Sequence, residues 1–250
     1  MTIFQKVQSY FLQQILPGKK ENPQTAYNIW SKNYDNQPNN LMLSLDEEVF
    51  STLLNDIDVN NRIIADIGCG TGRHWEKIFK RKPKELIGFD VSEGMLQMLQ
   101  QKFPAARRYL LINDDLGMLG NESCDIVIST LTIAHIKNIR AAIGEWNRVL
   151  RPGGYLILTD YHPTALQHGA KRTFKHNNKT ISVKNYVHTL DSLREITGQL
   201  SLQECRLLEK EIDESAKPLY EKQNALNVYE KWKGTSIIYG MRLKKPDAVM

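Results

Sequence analysis

Two rhythms of apolar residues divide the chain. Up to about residue 60 they recur at helical spacing, and beyond Asn61 they gather into short runs separated by helix-like pieces. Phe4, Val7, Phe11 and Ile15 stand three and four apart, and "LPGKKENP" then breaks the pattern with Pro17, Gly18 and Pro23. Tyr27, Trp30 and Tyr34 repeat the same spacing. After "DNQPNN" a further helix is predicted from about Ser44 to Ile57, with Ser44 and Glu47 matching a capping box. Residues 1–60 thus read as an N-terminal helical cap.

The short runs "RIIADIG", "ELIGFDVS", "RRYLLIND", "CDIVIST" and "GYLILTD" are strand candidates, while "SEGMLQMLQQKF" and "IRAAIGEWNRVL" between them have helical periodicity. Such alternation builds an α/β fold, a parallel sheet with helices on both faces. "RPGG" at 151–154 is the turn that stops a helix and starts the next strand. Residues 61–162 form the core unit on this reading. The remainder, 163–250, supplies an inserted β-hairpin with its turn at "HNNK", a helix near 190–199, and strands near 202–212 and at "TSIIYGMRL". In the hairpin, Ile181, Val183 and Val187 are expected on one face, with Ser182, Lys184, Tyr186 and His188 on the other.

The loop "ADIGCGTG" after the first core strand carries the chemistry. In open α/β sheets ligands bind at the carboxyl ends of strands where strand order reverses, and glycines there let a ligand approach bare backbone. A dinucleotide fingerprint reads GxGxxG. Here Gly68, Gly70 and Gly72 read GxGxG behind Asp66, which suits a cationic ligand better than a pyrophosphate. Asp90 closes the next strand at about the 20-residue spacing from which a carboxylate takes ribose hydroxyls.

These motifs resemble the class I S-adenosylmethionine-dependent methyltransferases over roughly residues 61–162, and the whole-chain pattern, including "AYNIWSKNYD" and "TDYHP", is similar to bacterial small-molecule methyltransferases of the ubiquinone/menaquinone and biotin-pathway type. The resemblance implies a Rossmann-like fold with a seven-stranded, mostly parallel sheet. It implies S-adenosyl-L-methionine as the cofactor: Asp66, Gly68, Gly70 and Gly72 at its methionine end, Asp90 on the ribose, and Val91 and Met95 beside the adenine. "INDDLGML" resembles the segment that binds the adenine amino group, where Asp114 matches best, Asp115 is its rival and Leu116 is adjacent. Asn113 there replaces a common glycine. "CDIVISTLTIAHIKN" places Thr130 and Leu131 near the cofactor and His135 near the acceptor.

A sulfonium methyl is already activated, so the protein has to align the acceptor, exclude water and, where needed, remove a proton. His135 and His162 are the candidate bases and Tyr161 a candidate for polarising the acceptor, with no metal required. Acceptor contacts are expected from Tyr27, Trp30, Tyr34, Arg172, Lys184 and His188. The hairpin sharpens this expectation. Lys171, Arg172, Lys175, Lys179 and Lys184 lie between residues 161 and 190 without an acid, equalling the net +5 of the whole chain. Two readings stand, a solvated basic loop and a surface for an anionic small molecule.

Composition narrows the class further. The 250 residues are 41% hydrophobic, ordinary for a globular chain, with no apolar stretch of membrane-spanning length and no signal-peptide core. Cys69, Cys124 and Cys205 lie far apart, against a disulfide frame or a zinc site. A cytoplasmic protein is expected. Besides small-molecule transfer, two function classes remain open: an RNA methyltransferase, disfavoured because "ISTL" ends the fourth strand in place of an Asn/Asp-Pro-Pro-Tyr-like loop, and a cofactor-binding protein without transfer.

Overall fold

Residues 19–38, 40–112, 115–222 and 224–248 are described by the structure, a computed structural model. The helix expected over Phe4–Ile15 lies outside them. The central sheet has seven strands, in the order β4-β3-β2-β5-β6-β10-β9. They are β2 (Ile63–Ile67), β3 (Glu85–Asp90), β4 (Arg107–Leu110), β5 (Cys124–Thr130), β6 (Leu150–Tyr161), β9 (Gln203–Glu211) and β10 (Ser236–Lys244). The first five run parallel, and β10 is antiparallel to both β6 and β9, which makes the sheet mostly parallel. Chain order reverses between β2 and β5, which puts the switch point at the loops leaving those two strands.

The strands read as continuous apolar runs because both faces are covered. Side chains alternate between two cores. Ile126, Ile128 and Ile157 face one, with Val49, Phe50 and Leu53 of the helix Leu41–Asn55, Trp75 and Leu99. Val127, Leu156 and Leu158 face the other, with Ile143 and Trp146 of the helix Ile139–Val149 and Leu193 and Ile196 of the helix Leu190–Gln199. Helix Leu41–Asn55 is therefore a layer of the core, whereas helix Pro23–Trp30 packs elsewhere. Its Ala26, Tyr27 and Trp30 join Met95, Phe174, Ile181 and Val183 in a third cluster.

That third cluster includes a small sheet, β1 (Lys19–Glu21) parallel to β8 (Lys179–Val183), which pairs antiparallel with β7 (Thr173–His176). Asn177 and Asn178 turn the hairpin at φ 48° and 60°, the left-handed pair of a two-residue turn.

Three local expectations are corrected. The Leu41–Asn55 helix starts three residues before Ser44. Asn40 caps it by accepting from Leu43 N–H at 3.2 Å, and the Ser44 hydroxyl donates back to Asn40 O. "RPGG" is an excursion inside β6: the partner register jumps from Cys124–Leu150 to Ile126–Tyr155, and Gly153, at φ 76°, donates to Lys245 O. The alternation past Val183 ends because the chain leaves the sheet. Lys184 N–H goes to Glu21 O and Tyr186 N–H to Ala134 O, and Val187 is exposed.

Candidate active site

The loop after β2 is bent back onto the end of β3. Gly68 and Cys69 both donate backbone N–H to Phe89 O, at 2.7 and 3.0 Å. Asp90 then receives Gly70 N–H on Oδ2 and Ser92 N–H on Oδ1, each at 2.8 Å. Burial pushes the Asp90 carboxyl up to about 6 against these hydrogen bonds, because few groups replace the water it loses. The loop is held in shape by the same carboxylate that the sequence assigned to a ribose.

A cavity of about 410 Å³ opens here, at the switch point. Of the residues assigned to the cofactor from the sequence, Gly68, Gly70, Asp90, Val91, Met95, Thr130 and Leu131 line it. Four expected residues do not. Gly72 faces Leu99, Phe103 and Trp75 instead, where a Cβ would collide, so its absent side chain serves helix packing. Asp66 is buried below the loop, its Oδ2 accepting from Trp75 Nε1 at 2.7 Å and its Oδ1 without a hydrogen-bond partner among the described residues, and burial raises its carboxyl to about 6. Leu116 is wholly buried in the core, and Asp115 is exposed. Asp114 lies outside the described residues. Lining residues that the sequence reading did not name include Leu111, Ile112, Ile136 and Trp146. Apolar residues beside a polar loop gave no local signal that would separate them from core.

Tyr27, Tyr34 and His135 also line the cavity. Tyr27 Oη lies 2.9 Å from His135 Nε2, and His135 Nδ1 lies 3.0 Å from Lys184 O. A carbonyl can only accept, so Nδ1 carries the proton and Nε2 accepts from the Tyr27 hydroxyl. Burial holds the imidazole down to about 4, with the Arg172 charge acting in the same direction. Trp30 does not face the cavity; it stacks between Tyr27 and Phe174, at centroid distances of 6.0 and 4.5 Å.

The basic hairpin splits. Lys175, Lys179 and Lys184 are exposed, and Lys184 Nζ sits over the Tyr186 ring. Arg172 is 4% exposed and lies behind the cavity wall, stacked on Trp30 and Tyr34, with Nη2 donating to Tyr34 Oη at 2.8 Å. Its Nε and Nη1 have no hydrogen-bond partner among the described residues. Tyr161 is buried beside that guanidinium and off the cavity. His162 is corrected to a structural role: Nδ1 accepts Thr164 N–H to cap the helix Pro163–Gln167, and Nε2 meets Glu209 at 2.8 Å. His188 likewise pins a loop, Nε2 to Ile136 O at 2.8 Å.

Asn28, Asp35 and Asp46 tie the first helices to the loops beside the site. Asn28 Oδ1 accepts from Ser92 Oγ and Gly94 N–H, and Asp35 accepts from Thr71 Oγ1 at 2.7 Å. Asp46, fully buried, accepts from Arg73, from His74 at 3.0 Å and from Thr159. Burial alone would raise its carboxyl; Arg73, His74 and Thr159 outweigh burial and hold it well below the usual range. A signal for Asp46 exists in the sequence, since it stands on the apolar stripe of Met42, Val49, Phe50 and Leu53, where an unpaired acid would be costly.

Residues 65–158 match the methyltransferase domain family. A malonyl-[acyl-carrier protein] O-methyltransferase of Serratia marcescens is 32% identical over 104 residues, 42% of this chain and 40% of that protein. An S-adenosylmethionine-dependent methyltransferase from Mesorhizobium loti superimposes with a TM-score of 0.62 at 15% identity, covering 81% of this chain and 99% of that one. Magnesium protoporphyrin IX methyltransferase from Synechocystis, solved with bound S-adenosylhomocysteine, gives 0.58 at 18% identity over 96% and 98%. The chain spans less than two thirds of the curated relatives it matches, from 26% to 60% of the first four. No helix among the described residues is long and apolar enough to cross a membrane.

Proposed function

From the class I S-adenosylmethionine-dependent methyltransferase domain at residues 65–158, we propose that the chain transfers a methyl group, by in-line displacement, to a small anionic organic molecule held between helix Pro23–Trp30 and the 171–188 segment. The carrying observation is the Gly70–Asp90 pairing at the mouth of the switch-point cavity.

The residues present fit the cofactor. A Cβ on Gly70 would meet nothing within 4 Å, so the bare backbone there leaves a cradle open to a ligand. Asp90 keeps lone pairs on both oxygens for a pair of hydroxyls, and Val91, Met95 and Ile112 offer apolar contact to a purine ring. When bound, S-adenosylmethionine supplies an activated methyl group on a sulfonium. The chain's part is to orient, to exclude water and to accept any proton. Helix Pro23–Trp30 excludes water by covering the cavity, and Asn28 ties it to the loop that holds Asp90.

Support for an anionic acceptor comes from Arg172. The buried Arg172 guanidinium, which among the described residues forms no salt bridge within 4 Å and is flanked by Tyr34, Tyr161 and the Asp160 charge, raises the potential at Tyr34 and Tyr27, which line the cavity. The Serratia relative's malonyl group is itself acidic. The boundaries 1–60, 61–162 and 163–250 are retained as cover, cofactor core and acceptor side, with Leu41–Asn55 counted to the core.

The test supplies radiolabelled S-adenosylmethionine to fractionated metabolites and, separately, to RNA. Label in an anionic small-molecule fraction is expected; label confined to RNA would overturn the proposal.

A further inference from the structure

We infer that Tyr27 and His135 form a proton relay, and that the acceptor is therefore a hydroxyl compound whose proton leaves through Tyr27 Oη to His135 Nε2. The inference rests on the methyl-transfer reading above. Three observations carry it. Both side chains line the cavity and meet each other at 2.9 Å. The Lys184 carbonyl at 3.0 Å fixes the imidazole in the tautomer whose free lone pair faces the Tyr27 hydroxyl, so the direction of proton flow is built in. The Tyr27 oxygen donates to His135 and accepts from no described residue, which leaves its acceptor capacity for an incoming O–H.

This is the arrangement of a base oriented by a third group, with a phenol interposed between base and reactant. The acceptor oxygen forms the new bond to the methyl carbon as the sulfur–carbon bond breaks. Its proton passes to Tyr27 Oη while the Tyr27 proton passes to Nε2. The products are a methyl ether, S-adenosylhomocysteine and an imidazolium that returns its proton to water. Nδ1–H against the Lys184 carbonyl supports the imidazolium, and the cationic charge lost at sulfur reappears on the ring.

Burial, with Tyr34, Tyr161 and Asp160, holds the Tyr27 phenol well above its ordinary range against the Arg172 charge, so Tyr27 stays protonated and gives up its proton only as it takes one, with no free phenolate. Burial and the Arg172 charge keep His135 neutral at rest, with its Nε2 lone pair on the Tyr27 hydroxyl, and the Lys184 carbonyl is the contact that favours the imidazolium when the proton arrives. A carboxylate acceptor brings no proton, and this pair would then have nothing to do.

The experiment offers the full chain hydroxybenzoates and aliphatic hydroxy acids, each beside the same acid without its hydroxyl, with radiolabelled S-adenosylmethionine. Base-stable ether product from the hydroxylated members is expected. Tyr27→Phe and His135→Gln should lower kcat by ~10²-fold or more with KM changed less than about threefold. Heteronuclear NMR of the histidine side chains should show Nδ1–H at His135, with the Nε2 resonance moving in Tyr27→Phe. Base-labile ester product, equal labelling of acids lacking the hydroxyl, an Nε2–H tautomer, or an unchanged kcat in Tyr27→Phe would each overturn the relay. S-adenosylhomocysteine should raise the melting temperature of wild type and both variants alike. No shift in the wild type would overturn the methyl-transfer reading and the relay with it, whereas a shift with ester product overturns the relay alone.

Discussion

Replacing Gly70 and Gly72 one at a time by alanine separates ligand binding from folding within a single loop. Both residues have positive φ, 54° and 76°, so each alanine carries about 1–2 kcal/mol of left-handed strain. They differ in what the added methyl meets. At Gly70 nothing lies within 4 Å and the residue lines the cavity. At Gly72 the methyl falls 2.5 Å from Leu99 Cδ1 and 3.1 Å from both Phe103 Cε2 and Trp75 Cγ, in a core where Leu99 and Trp75 are fully buried. Overpacking of that kind adds about 1–3 kcal/mol. Gly72→Ala should therefore lose about 2–5 kcal/mol in urea denaturation, or roughly 2–4 °C of Tm per kcal/mol, while the folded fraction binds S-adenosylhomocysteine normally. Gly70→Ala should lose only the strain but cost at least about tenfold in affinity by calorimetry, some 1.4 kcal/mol. Full affinity in Gly70→Ala, or a stable Gly72→Ala that no longer binds, would refute the assignment of the two glycines.

Three further outcomes are expected. Ribose hydroxyls donate to the ionised form of Asp90, whose carboxyl sits at about 6 in the free protein, so S-adenosylhomocysteine affinity should hold above pH 6 and fall as pH drops through it. Asp66 is raised to the same range, and a titration in Asp90→Asn, expected to flatten the acid limb, separates the two. Asp46→Ala leaves Arg73, His74 and Thr159 without their shared acceptor and should cost about 3–5 kcal/mol in chemical denaturation; a loss below about 1 kcal/mol would show that the network contributes little. His162→Ala removes a helix cap and a contact to Glu209, so it should lower stability by about 1 kcal/mol and leave the transfer rate intact. A collapse in rate would restore His162 to the chemistry.

The elements most legible in the sequence are those whose signals are local. β5 spans the run Cys124–Thr130, and the Asn-Asn turn, the helix Leu190–Gln199 and the last strand Ser236–Lys244 fall where the local pattern puts them. Of the cavity lining, Gly68, Gly70 and Asp90 are legible for the same reason, since loop glycines and a strand-end acid are set by their place in the chain, whereas Asp66 and Gly72 in the same motif turn out to pack behind the loop. The acceptor side depends on pairings between distant segments. Nothing beside His162 announces Glu209, nothing beside His188 announces Ile136, and Arg172 is buried only because Trp30 and Tyr34 arrive from the other end of the chain. Ser44 lost the helix cap to Asn40 because either residue type can fill that position, and tertiary packing of the first turn decides between them.

Calorimetric titration of the full chain with S-adenosylhomocysteine, repeated on Asp90→Ala, tests the central claim most directly. Saturable one-to-one binding is expected, weakened about tenfold or more by the substitution, because a charge-assisted hydrogen-bonded pair contributes about 1.5–3 kcal/mol. No heat and no Tm shift at millimolar ligand, or equal affinity in wild type and Asp90→Ala, would contradict it.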